Sequence, residues 1–179
     1  MTTDEFRDCL VEYYQGEVLG EAFCEALIEK FHDPEQLYKI GSFLQLETET
    51  KARLRPTILE LGGSVEESEQ SRQTGRELAD SIADGNWKEF VSVLSSVGEP
   101  LLARQREVSG TAPLGYRDLA QSMRVHGESI QNFAERELAC EAAHSIDEIV
   151  QQLKFPIPWP GHYGGGCEVF YSRLRPNRS

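Results

Sequence analysis

Near the start of the chain, core-type residues return four and three positions apart: Phe6, Leu10, Tyr13, Gly20, Cys24, Leu27 and Phe31. This spacing is the inward seam of a long amphipathic helix, and Glu17 occupies one position on it. A second seam follows through Leu37, Ile40, Leu44, Glu47, Lys51, Leu54, Ile58 and Leu61, again with a glutamate near its middle. Thr2 or Thr3 is the expected N-cap of the first helix, which should reach about Lys30. His32-Asp33-Pro34 then closes one helix and opens the next, Asp33 capping and Pro34 taking the first helical position. Gly62-Gly63 stops the second helix, and Pro56 should kink its last turn by clashing with the Ala52 carbonyl.

Residues 63–85 are polar, acidic and poor in aromatics, with a short helix expected from Gly75 to Ala83. The stretch is long for a link between neighbouring antiparallel helices, so it reads as a crossover that travels the length of a bundle. A third helix is expected from Asn86, turning Trp87, Phe90, Val91, Leu94, Val97, Gly98, Leu101 and Leu102 inward and bending at Pro100. After a turn over residues 109–115, a fourth helix is expected from Tyr116 to Leu153, with Leu119, Met123, His126, Ile130 and Phe133 inward. The pattern divides the chain into a helical bundle over residues 1–154 and a Pro/Gly/aromatic segment over 155–179. That segment should lie across the bundle as an extended strap and bury Phe155 and Trp159.

Composition narrows the partners. The net charge is −12 with a pI near 4.8, a surface that repels nucleic-acid phosphates and anionic lipid. Apolar residues make up 39% and charged residues 27%, and no apolar run is long enough to span a bilayer. Cys9, Cys24, Cys140 and Cys167 have no zinc-type spacing and read as reduced thiols, which fits a cytoplasmic protein. The apolar stripes of such bundles leave room for a homodimer.

The buried polar residues share a level. Glu17 and Glu47 lie equally far from the first turn near His32, and His126 stands almost as far from the second turn near Ala112. Each is roughly 21 Å from its turn at 1.5 Å rise per residue, so the three should converge at mid-height. A carboxylate in a dry core needs a cation, a proton or a metal ion. Gly16 and Gly20 beside Glu17 would admit a neighbouring helix or a ligand, and Tyr13 or Tyr14 could hydrogen-bond a ligand there.

Two helical hairpins joined by a long crossover, with inward glutamates at mid-height, resemble the ferritin-like superfamily. The likeness is carried by Tyr14-Gln-Gly-Glu17-Val-Leu-Gly-Glu21, Leu46-Glu47-Thr-Glu-Thr50 and His126-Gly-Glu-Ser-Ile-Gln-Asn-Phe133. It implies a ferritin-like four-helix bundle and a centre for iron or manganese. In that superfamily two helices give one glutamate each and two give a Glu-x-x-His pair each. Glu17 matches the glutamate of the first helix and Glu47 the first ligand of the second, but Thr50 stands where a histidine would follow Glu47. The third helix offers only Glu89 and Glu99, off the inward stripe, and the literal Glu141-Ala-Ala-His144 lies beyond the expected level. Glu128, near the right height, points away from His126.

Two readings follow. In the first, Glu17, Glu47 and His126 form a reduced site for one Fe(II) or Mn(II) in a metal-dependent oxidoreductase acting on an unidentified small molecule. Glu21, Thr50, Glu99 and Glu137 are its reserves. In the second, Lys51 neutralises Glu17 and Glu47, no metal binds, and the bundle is a ligand-binding or protein-interaction module. Glu21 and Glu25 are expected in solvent, as is Glu137. His162, Cys167 and the Gly164-Gly165-Gly166 run are too sparse for a metal site or a phosphate loop.

Overall fold

A computed structural model, describing residues 1–159, turns each long amphipathic segment into a helix. Helix α1 (Thr3–Ile28) starts with a capping box in which Thr2 Oγ1 accepts from the Glu5 amide and Glu5 accepts from the Thr2 amide. Asp33 caps α2 (Pro34–Glu60), with Pro34 at its first position. The helix runs on through Pro56 and ends where Gly62 takes φ +76°, a conformation glycine adopts without strain. Helices α3 (Glu69–Asp80), α4 (Trp87–Thr111), α5 (Arg117–Leu138) and α6 (Asp147–Val150) follow, with 3-10 turns at Leu114–Tyr116 and Ala142–His144. Among the described residues there is no strand.

Side-chain contacts fix the helix directions. Helix α2 runs antiparallel to α1, placing Thr48 against Glu21. The crossover carries the chain back alongside α1: Gln15 reaches the Glu66 carbonyl, and the Gly85 amide reaches the Lys30 carbonyl. Helix α4 therefore starts at the α1–α2 turn, where Trp87 meets Phe31, and descends parallel to α2 until Arg104 meets Cys9. Helix α5 returns against α4 and α2, from Tyr116 beside Glu60 to Glu137 beside Lys39. Helices α1 and α2 pack closely as one pair and α4 and α5 as another, and α3 braces the flank of α1.

That brace starts earlier than the sequence pattern suggests, at Glu69 after the Ser68 cap, rather than near Gly75. It depends on Gly75, where an added Cβ would lie 2.3 Å from the Leu19 carbonyl oxygen. Only a bare backbone fits so close to another backbone.

The expected fourth helix is broken. Helix α5 ends at Leu138, and Cys140 turns the chain with φ +62° while the Glu141 amide bonds back to the Arg136 carbonyl. The return folds Ile146, Ile149 and Leu153 onto the core, and that burial offsets a left-handed cysteine. Phe155 and Trp159 are both exposed rather than buried, although Trp159 meets Tyr38 edge-on with ring centroids 4.5 Å apart. The rest of the expected strap, with His162, Gly164–Gly166 and Cys167, lies outside the described residues.

Two apolar clusters divide the interior. One, around Phe23, Phe31, Phe43, Phe90 and Phe133, fills the end near the α1–α2 turn. The other, around Phe6, Leu10, Tyr14, Leu54, Ile58 and Met123, fills the opposite end. The polar residues lie at the level between them. Among the described residues no helix is long and apolar enough to cross a membrane.

Candidate metal centre

Glu17 from α1, Glu47 from α2 and His126 from α5 meet between the two clusters, each offering a ligand atom within 4.8 Å of the others. They are almost dry, with Glu17 and His126 each 4% exposed and Glu47 7%. His126 Nε2 stands 3.6 Å from Glu17 Oε2 and 3.9 Å from Glu47 Oε1. Around an ion with donors at about 2.1 Å, ligand atoms at tetrahedral angles lie about 3.4 Å apart. The 3.6 and 3.9 Å separations from His126 exceed that spacing by a few tenths of an ångström, and no pair of the three ligand atoms is more than 4.8 Å apart.

Neighbouring residues hold these side chains in place. Gly20 is one turn beyond Glu17, and a Cβ there would sit 2.8 Å from the Glu47 carboxyl carbon. Its absence lets Glu47 lie across the α1 backbone. Thr50, standing where the ferritin-like pattern would place a histidine, has Oγ1 3.2 Å from His126 Nδ1. With the proton on Nδ1, the ring donates to Thr50 and turns the Nε2 lone pair towards the carboxyls, the tautomer a metal ligand needs.

Electrostatics leave the site short of positive charge. Burial, the adjacent Glu47 charge and a hydrogen bond between the two carboxyls push the Glu17 pKa well above its ordinary value. Burial pushes the His126 pKa down, against the opposing pull of Glu47, so the ring is neutral at pH 7. Glu17 Oε2 has no hydrogen-bond partner.

Lys51 does not neutralise this pair, contrary to the second sequence reading. Its ammonium bonds Glu21 and lies 2.7 Å from Glu67 at the start of the crossover helix. Glu67 is gripped further by Arg72, and the hydrogen bond from Lys51 is the main cause of its pKa falling to about 2. Among the described residues, no lysine or arginine pairs with Glu17 or Glu47.

The reserve ligands are placed elsewhere. Glu21 is not in solvent but mostly buried, accepting from Lys51 and from Thr48 at 2.7 Å. Glu99 is exposed on α4, because the inward stripe passes one position to its side. Glu137 is buried too, at the far end of α5, where the chain reversal after Leu138 covers it. It accepts from Lys39 at 2.7 Å, Trp87 Nε1 at 2.8 Å and Ser145 at 2.6 Å. Burial works against its charge, but those hydrogen bonds prevail and lower its pKa. Glu141 and His144 are exposed in the broken segment, His144 pairing with Asp147.

A cavity of about 140 Å³ leads from this centre to the surface between α1 and α4. Val97 and Leu101, expected in the core, are 37% and 53% exposed at its rim because α4 stands off from α1 there. Tyr13 lines the cavity, whereas Tyr14 points the other way and accepts from Arg55 at 3.0 Å. Gln105 was not singled out by sequence reasoning, although the three-residue spacing of Leu102, Gln105 and Val108 marks it as inward. No protein-family model, curated protein or solved structure matches the chain.

Proposed function

We propose that the chain is a ferritin-like bundle that binds one Fe(II) or Mn(II) through Glu17, Glu47 and His126, as a metal-dependent oxidoreductase. The observation that carries this reading is the convergence of two buried carboxyls and a neutral imidazole with which, among the described residues, no lysine or arginine pairs. Burial of such groups is costly unless something positive compensates them. Two carboxylates and one imidazole suit a divalent transition ion and leave positions open to other ligands. The support for the ferritin-like fold is the helix order, in which the crossover sets α2 parallel to α4 and antiparallel to α1 and α5.

The bound ion would supply one-electron redox chemistry. The protein's own contribution is to hold neutral His126 through Thr50, close one side of the centre with the Phe43 and Phe133 layer, and release the Glu17 proton on binding. The absence of further ligands from α4 favours one ion over two. Titration of chelator-treated protein with Mn(II), read by electron paramagnetic resonance and calorimetry, tests this. A single saturable site that is lost in His126→Ala is expected. No saturable binding, or binding unchanged in that variant, refutes the proposal.

A further inference from the structure

Five buried side-chain polar atoms have no hydrogen-bond partner among the described residues, and three of them, Tyr13 Oη, Glu17 Oε2 and Gln105 Oε1, belong to residues that line the cavity between α1 and α4. Buried polar atoms without partners are rare in folded proteins, and their gathering in one cavity points to a missing ligand. The fold makes room for the Gln105 carboxamide. A Cβ at Gly127 would fall 1.6 Å from Gln105 Oε1, so α5 presents bare backbone where the amide lies. Apart from Glu12, Glu47, Arg104 and His126, the remaining lining is apolar, with Phe23, Phe43, Phe90, Leu94 and Ile130 prominent.

We propose that this cavity binds a compact apolar molecule of about one ring carrying a single hydroxyl, anchored by Gln105 and Tyr13 beside the metal centre. Size sets the first limit: a dry cavity of about 150 Å³ lined by Leu, Ile and Phe accepts benzene, and this one has a volume of about 140 Å³. Polarity sets the second. Tyr13 remains protonated because burial pushes its pKa up, so it donates, while Gln105 Oε1 accepts. A hydroxyl satisfies both. Charge sets the third: Glu12 and Glu47 along the path repel a carboxylate, and the one cation in the lining, Arg104, is already paired with Glu107. The inference extends the metal-centre reading by naming what the ion would face, but the binding itself requires no metal.

Calorimetry on the chelator-treated full chain tests it with phenol, toluene and benzoate as probes. Phenol is expected to saturate one site about tenfold more tightly than toluene, the value of one net hydrogen bond, and benzoate is expected not to bind. Gln105→Leu should reduce phenol to the affinity of toluene. Gly16→Leu favours the helix, and its Cβ meets no other atom within 4 Å, yet its side chain projects into the mouth and should abolish binding of both. The proposal is overturned if phenol shows no saturable binding, if it binds no better than toluene, or if either variant binds it as the parent does. With metal removed throughout, a failed Mn(II) titration would leave a positive phenol result standing, and the reverse also holds.

Discussion

Glu17→Gln separates the cost of the buried carboxyl from its use. Glutamine has nearly the shape of the protonated acid and can donate to Glu47, but it neither ionises nor serves as an effective anionic ligand. In metal-free protein the folded Glu17 pKa lies well above 4.5, its ordinary value. The folded chain therefore holds the proton after the unfolded chain has released it. Stability from this group is fully present below about pH 4.5 and is lost as pH rises towards the folded value. The variant has no such loss. Its advantage over the parent should be near zero in mild acid and grow by up to about 1.4 kcal/mol per pH unit. For a chain of this size that is about 3–6 °C of melting temperature per unit. Circular-dichroism melts from about pH 5 to 8 in chelator measure the gap. Added Mn(II) should reverse the order: at a hundredfold excess over Kd the parent gains about 2.7 kcal/mol and the variant almost nothing. Parallel melting curves across the pH range would show that Glu17 ionises in the fold without penalty, and the reasoning would fail.

Two further substitutions probe the supports of the site. Thr50→Val removes the partner of His126 Nδ1 while keeping the side chain's shape, so Mn(II) affinity should drop by about tenfold and the metal-free protein should lose about 1–3 kcal/mol, the cost of an unpaired buried donor. Gly75→Ala forces a methyl group to within 2.3 Å of the Leu19 carbonyl oxygen, where both partners are backbone. It should lower stability by about 1–3 kcal/mol, read as a lower urea midpoint at unchanged slope.

The meeting of Glu17, Glu47 and His126 was readable from sequence because helical rise is fixed: residues equally far from a tight turn must end at the same height. The caps at Thr2 and Asp33 were readable for a similar local reason. What escaped depended on distant partners. No glycine or proline marks the end of α5, where the return of Ile146, Ile149 and Leu153 to the core outweighs the strain at Cys140. That same reversal buries Glu137, which the sequence pattern placed in solvent. Val97 and Leu101 fit the inward stripe of α4, and only the spacing between α1 and α4 decides that they rim a cavity.

Lys51 is the most instructive case, because its direction determines whether the centre can hold a cation at all. It lies one turn beyond Glu47 on α2, and its flexible stem can reach either way. Two carboxylates draw it off: Glu21 from α1, and Glu67 from a crossover pinned by the tight contact at Gly75. The crossover thus sets the charge around the candidate centre without touching it. In Glu21→Gln/Glu67→Gln the strongest attraction left for the ammonium is the Glu17–Glu47 pair. Lys51 should swing towards it, pull the Glu17 pKa down and compete directly with the ion. Mn(II) affinity is expected to fall by at least about tenfold, the scale on which supporting contacts tune metal sites. Adding Lys51→Met to that background removes the competitor and should restore binding. Unchanged affinity in the double variant, or no recovery in the triple, would mean that Lys51 has no influence on the centre.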